Sequence, residues 1–398
     1  MDVATVDVAA IREQIPALKN GIYFNAGGIG PSPRTVTDTL VRLATELGET
    51  GPDGMAFARE EFTRAIATRA TIARFIGASA DEIALTRATA EGFDIIGHGL
   101  RWQEGDEIIF AGIDHPAARA IWTVLARRYG VRPKRVELRD DGPEAILEDV
   151  RRLLTPRTRL ISLSHVVSEN GLKVPARELA DLAHANGARL ILDGCQAVGQ
   201  FPIDVKAIDC DYYAAGCYKW LLAPFGTGFL YVRKELLAEL EPSWVGAGGT
   251  TGFDPETGRW DPLPTGERFE FGARYWPVVP ALGAAIDFVS GVGLANVADR
   301  SRMLVNRMCE RLAGRPGVIE FAPRCVDLRT GMVGAAIKGM DGSDLRDRLW
   351  AQNVHLRANR GPDGVTGVRL CLAFFNTGDE VDRVADLISE IGGTEGHA

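Results

Sequence analysis

Short apolar, β-branched runs alternate with amphipathic stretches through the middle of the chain. Glu107–Ala111 reads as a strand, and Ala117–Tyr129 after it as a helix stopped by Gly130. Leu160–Leu163 is a second strand. Pro175–Asn186 reads as a helix with proline in its first turn and Gly187 past its end. Leu190–Leu192 is a third strand, running into Asp193. Strands alternating with helices of this length predict βαβ units, hence an α/β fold with a mostly parallel sheet covered by helices on both faces. From Trp244 to Arg268 the alternation lapses into Gly, Pro, Thr and Asp, and the stretch reads as a long surface or subunit-contact loop. A helix is expected at Val279–Val289, followed by strands at Val333–Ile337, Val354–Arg357 and Val368–Ala373. Further helices are expected near Ser343–Gln352 and Asp379–Ile391. The organisation predicted is an N-terminal segment over residues 1–30, a large α/β domain over 31–275 and a smaller C-terminal α+β domain over 276–398.

Composition narrows the function classes. The 398 residues carry a formal charge of −8, which disfavours a nucleic-acid footprint. The cysteines (Cys195, Cys210, Cys217, Cys309, Cys325, Cys371) form no CxxC pair, so they suggest neither a zinc cluster nor a disulfide framework and point to a reducing compartment. No apolar run approaches the ~18–20 residues that span a bilayer, and Met1–Ala10 holds two aspartates in place of a basic leader. A soluble cytoplasmic protein is expected, without a metal or a membrane partner. Gly291-Val292-Gly293 lacks the third glycine of a dinucleotide fingerprint, because Asn296 stands there.

Two residues carry the first chemical signal. Asp193 ends an apolar strand at the edge where open parallel sheets place ligands, although an aspartate capping a βα turn reads the same way. Lys219 lies between Tyr218 and Trp220 in an apolar stretch. Burial there would lower its basicity and make its amine a nucleophile, whereas a snorkelling lysine is the plainer alternative. Asp193 followed 26 residues later by such a lysine resembles the fold-type I pyridoxal 5′-phosphate enzymes, and more narrowly the class V aminotransferase family, with its cystine C–S lyases, cysteine desulfurases and isopenicillin-N-epimerase-like members. The resemblance runs from Ile22-Tyr23-Phe24-Asn25-Ala26-Gly27-Gly28 through Asp114-His115-Pro116, Ser164-His165 and Asp193-Gly194-Cys195-Gln196. It continues through Tyr218-Lys219-Trp220 and Arg268-Phe269-Glu270 to Val368-Arg369-Leu370 and Phe375-Asn376.

That resemblance implies a large domain with a mostly parallel seven-stranded sheet, a smaller α+β domain, pyridoxal 5′-phosphate as cofactor, and a homodimer with shared active sites. It also implies roles. Lys219 carries the cofactor and then serves as base and acid; Asp193 meets the pyridine nitrogen; His115 stacks on the ring, or merely opens a helix. Gln196 and Ser168 hydrogen-bond the phenolic oxygen, while Ala88, Thr89 and Ala90 form the phosphate cup with Tyr218 beside it. Arg369 and Asn25 take the substrate carboxylate, Arg357 is a second candidate for a substrate anion, and Arg274 and Trp276 lie where a partner subunit's residues enter. The chain departs from the family where Gly216 replaces a hydroxyl residue, Tyr218 a histidine and Ala273 a threonine. Cys325 is the only loop candidate for a desulfurase nucleophile, and it lacks the small neighbours such a loop favours. The expected activity is α-proton abstraction and β-elimination on a cysteine S-conjugate or related amino acid, giving thiol, pyruvate and ammonia. Epimerisation, transamination and decarboxylating oxidative deamination use the same residues, and a non-catalytic cofactor-binding protein is the reading from another class.

Overall fold

The structure is a computed structural model that describes residues 6–51, 54–361 and 364–395. Seven strands form the principal sheet, in the order Ile83–Thr86, Gly228–Val232, Tyr212–Gly216, Arg189–Asp193, Thr158–Ser164, Glu107–Ala111 and Arg132–Val136. Only Gly228–Val232 runs against its neighbours. The alternating side chains of each central strand feed two separate cores. Ile109, Ile161, Leu190 and Leu192 join one with Leu179 and Ala183 of the helix Ala176–Ala185. Ile108, Leu160 and Ile191 join the other with Ile121, Trp122 and Leu125 of the helix Pro116–Tyr129. A sheet covered on both faces explains why its strands read as continuous apolar runs.

A second sheet, all antiparallel, orders Val318–Phe321, Met332–Ile337, Thr366–Cys371 and Arg357–Arg360. Its core includes Leu304 and Met308 from the helix Leu294–Leu312 and Val384 from the helix Gly378–Glu395. The strand expected at Val354–Arg357 is in fact divided. Val354–His355 pairs with the N-terminal strand Ile22–Tyr23, the buried Leu356 turns into the core, and Arg357 opens a strand of the second sheet. The stretch expected to be a loop between Trp244 and Arg268 holds a β-hairpin, Thr250–Asp254 against Arg259–Pro262. Asp254 accepts hydrogen bonds from the Glu256 and Thr257 N–H groups and from the Thr257 hydroxyl, and Gly258 follows at φ 71°. The turn-forming residues hide the alternation in sequence, but they are what closes the hairpin. Among the described residues no single helix is long and apolar enough to cross a membrane.

Candidate active site

The C-terminal ends of the parallel strands converge on a cavity of about 300 Å³. Its wall contains Ala88, Thr89, Ala90, His115, Ser168, Asp193, Gln196, Tyr218, Lys219, Arg357 and Arg369, brought together from positions spread across the chain. Gly27, Gly28 and Ile29 close one side. Asn25 is not in this wall: its carbonyl accepts from Gly28 and Ile29 N–H, and its Oδ1 is buried without a hydrogen-bond partner among the described residues.

Each wall residue has a local cause. The helix Thr89–Gly99 begins at the cavity, and its N-cap, Ala88, has no side chain to cover the first-turn N–H groups. Those donors and the positive end of the helix dipole face whatever anion enters. Thr89 Oγ1 accepts from Gly216 N–H at 2.8 Å, which leaves its own proton to give. His115 caps the helix Pro116–Tyr129, with Nδ1 accepting from Ala117 N–H at 3.2 Å, so the helix-opening reading holds while the ring still faces the cavity. Burial and the nearby Lys219 and Arg369 cations hold its imidazole below the usual histidine range. Gly30 donates to the Tyr218 carbonyl at 2.8 Å, and a Cβ there would collide with the Lys219 carbonyl oxygen. Glycine at this point therefore lets the N-terminal segment lie directly over the lysine.

Asp193 is buried, and its Oδ1 accepts from Cys195 N–H at 2.8 Å. Burial raises its pKa; Lys219 and the Cys195 N–H only partly offset that. Burial alone would lower the Lys219 pKa, as the sequence suggested, but negative charge on Cys195 and Asp193 outweighs it and the net direction is upward. Gln196 is held at both ends of its amide, donating to the Gly27 carbonyl at 2.9 Å and accepting from Trp220 Nε1–H at 2.8 Å. Ser168 departs from expectation: its hydroxyl is given to Glu169 Oε2 at 2.6 Å rather than left for the cavity. Arg369 Nη1 donates to the Ser168 carbonyl at 3.0 Å, its Nε is buried and unpartnered, and Arg357 is exposed at the mouth. Neither arginine forms a direct ion pair among the described residues, although Arg369 lies near enough to Glu169 to favour its charged form. Arg274 turns inward to the Leu85 carbonyl and to Glu270 of its own chain, each at 3.2 Å.

Sequence reasoning missed Glu169 and the role of Asp114. The Asp114 carboxyl is buried, accepts from Ser164 N–H at 3.2 Å and is pushed up to about 7 by burial, with Asp193 adding to the rise. A buried acid directly before His115 was the signal available.

A profile described as Aminotransferase class-V matches residues 22–384. The chain belongs to the class V aminotransferase family. Within that family it is 31% identical to isopenicillin N epimerase of Streptomyces clavuligerus, covering 94% of this chain and 95% of the relative. It is 30% identical to cysteine desulfurase of Escherichia coli O8 (strain IAI1), covering 97% and 98%. The solved cystine C–S lyase C-DES, in complex with its product cysteine persulfide, superposes with a TM-score of 0.87 at 26% identity, over 95% of this chain and 99% of that one. A variant of C-DES carries glycine covalently linked to its PLP cofactor. This class V chain is likewise an enzyme that uses pyridoxal 5′-phosphate. Its cavity fits the group on its own terms: a buried lysine, a buried carboxylate with one oxygen free of protein donors, and an uncapped helix N-terminus lie around one space.

Proposed function

We propose that the chain is a C–S lyase that removes the α-proton of a cysteine S-conjugate or related amino acid and expels the sulfur from Cβ, so that with one water the products are thiol, pyruvate and ammonia. The thiol inventory of the cavity carries this reading. Among the described residues Cys195 is the only cysteine in the wall, 5% exposed, with Sγ 3.6 Å from the Gly216 carbonyl. Cys325 packs against the cluster of Ile146, Val167, Leu172 and Leu328 and is not in the cavity wall. A desulfurase passes sulfur to a presented cysteine; among the described residues the cavity wall presents none beyond the buried Cys195, which supports release of the sulfur in a small molecule.

Pyridoxal phosphate, when bound, withdraws electrons from the substrate's Cα and so acidifies its C–H bond. Asp193 holds a proton on the pyridine nitrogen, and the first turn of Thr89–Gly99, with Tyr218, holds the phosphate. Engaging Asp193 in this way offsets the carboxylate charge that favours the Lys219 ammonium, so the amine is freed to take the proton at Cα and return it to the departing sulfur. Arg369 receives the substrate carboxylate in a two-pronged contact, and Arg357 takes an anion farther out on the side chain.

Incubating the holoenzyme with cystine and a panel of S-substituted cysteines, in air and under nitrogen, tests the reading by mass spectrometry. Pyruvate, ammonia and thiol in both atmospheres are expected. Inversion at Cα with solvent deuterium and no pyruvate would establish epimerisation instead. That second reading is favoured by the epimerase relative and by His115 and Tyr218, which offer further proton donors in the wall. Aldehyde and carbon dioxide formed only in air would indicate oxidative decarboxylation, and no turnover at all a binding protein. A homodimer in the cytoplasm is part of the same proposal. Phe225 and Tyr275, 61% and 54% exposed, flank a groove with Arg87 and Arg274 beside the cavity, and all six thiols are free. Light scattering of the holoenzyme tests the oligomeric state.

A further inference from the structure

The Ser168 hydroxyl has one proton, and the structure gives it to Glu169 Oε2 at 2.6 Å. In that arrangement Ser168 offers the cavity only lone pairs. If Glu169 takes up one proton from solvent, the new carboxylic acid donates to Ser168 Oγ and the hydroxyl proton is free to turn into the cavity. We propose that Glu169 is a positioning residue whose protonation sets the direction in which Ser168 donates, and so switches a cofactor-facing hydrogen bond on and off.

The surroundings are built for such a balance. Asn359 Nδ2 donates to the Glu169 carbonyl at 2.6 Å, and Arg369 Nη1 donates to the Ser168 carbonyl at 3.0 Å. Two side chains of the second sheet thus pin the dipeptide to the cavity wall. The charged groups around the Glu169 carboxylate come from three elements: Arg369 on Thr366–Cys371, Arg119 on the helix Pro116–Tyr129, and Asp114 after the strand Glu107–Ala111. Burial raises the Glu169 pKa, while the Ser168 hydrogen bond, Arg369 and Arg119 pull it back, and the net direction is upward. The switch therefore operates above the pH where an exposed glutamate titrates. Arg369 also couples it to substrate: a carboxylate arriving on the guanidinium weakens its hold on the Glu169 charge and favours the protonated, donating state.

The proposal rests on the cofactor assignment and not on the lyase reading, so its test uses no substrate. The absorbance of bound pyridoxal phosphate, whose ring bears the phenolic oxygen, is titrated with pH in the wild-type holoenzyme and in Glu169→Gln, Glu169→Asp and Ser168→Ala. The wild type is expected to show a spectral step that Glu169→Asp keeps at a shifted pH and that both Glu169→Gln and Ser168→Ala lose, since an amide does not titrate and alanine has no hydroxyl to turn. A step that persists unchanged in Glu169→Gln or in Ser168→Ala belongs to Asp114, Asp193 or the cofactor itself and overturns the proposal. Should Glu169→Gln fail to fold, Ser168→Ala, which removes one oxygen, decides alone.

Discussion

Replacing Arg369 with alanine separates substrate binding from cofactor binding. The guanidinium forms no direct ion pair among the described residues; its side-chain hydrogen bond there is the 3.0 Å bond to the Ser168 carbonyl. Arg369→Ala therefore leaves no protein charge stranded opposite it, apart from a Glu169 carboxylate that then protonates more readily. What is lost is a charge-assisted contact to the substrate carboxylate, about 1.5–3 kcal/mol, and one neutral-acceptor bond of about 1 kcal/mol that docks the strand Thr366–Cys371 on the large sheet's loop. At about 1.4 kcal/mol per tenfold, the first term raises KM roughly 10–150-fold, and the second lowers stability slightly. The assay is steady-state pyruvate release by the purified holoenzyme, with cofactor occupancy read from absorbance in the same preparation. Arg369→Lys keeps the charge but not the two-pronged geometry, and its KM should fall between those of the wild type and the alanine variant. Cofactor loss in Arg369→Ala, or a fall in kcat with KM unchanged, would refute the assignment.

Lys219→Ala should abolish turnover and the absorbance of lysine-bound cofactor while leaving the fold intact; an unchanged spectrum would rule out covalent attachment at this residue. Asp114 holds its proton up to about pH 7 in the fold but loses it near its ordinary value of 3.8 when unfolded. The native state therefore binds the extra proton, and stability falls as pH rises through that window. Asp114→Asn lacks this term, so its urea midpoint relative to wild type should rise between about pH 4 and 7; parallel pH profiles would contradict the burial argument. Gly216→Ser places a Cβ 2.9 Å from Tyr218 Cε1. The overpacking costs about 1–3 kcal/mol, visible as roughly tenfold or weaker cofactor binding by fluorescence titration. Trimming the ring in the double variant Gly216→Ser/Tyr218→Ala should recover part of that loss, whereas simple additivity would show that the two residues do not interact. Trp122→Ala empties a side chain that is 1% exposed and donates to Ser162 Oγ at 3.1 Å, for a loss of about 3–5 kcal/mol in chemical denaturation.

Local pattern made some of this legible and long-range pairing hid the rest. Asp193 and Lys219 are each ambiguous alone, a capping aspartate or a snorkelling lysine, and become legible as a pair, a strand-end charge followed 26 residues later by an aromatic-flanked lysine. The strand Glu107–Ala111 is found where periodicity puts it. Val354–Arg357 is not, because its first half pairs with Ile22–Tyr23, a partner far upstream that no window of sequence contains. Glu169 stands next to a candidate residue, yet its importance depends on Asn359 reaching its carbonyl from 190 residues away and Arg369 reaching the Ser168 carbonyl from 201 residues away along the chain. Hydrophobic alternation tells which face is buried, not what covers it.

The departures from the family pattern show the same limit at the scale of single side chains. In sequence, Gly216 and Tyr218 are two independent losses, a hydroxyl and an imidazole at positions where the family pattern carries them. In space they are one change. The Tyr218 ring, stacked on Phe225 with centroids 5.1 Å apart, fills the volume that a side chain at 216 would need. The bare Gly216 backbone then donates to Thr89 Oγ1 at 2.8 Å, orienting that hydroxyl so that its own proton is left for the cavity. A Cβ at 216 would meet Cys195 Sγ at 3.4 Å, an ordinary contact, so the conflict lies with the Tyr218 ring. The two halves of the exchange therefore hold their meaning only together.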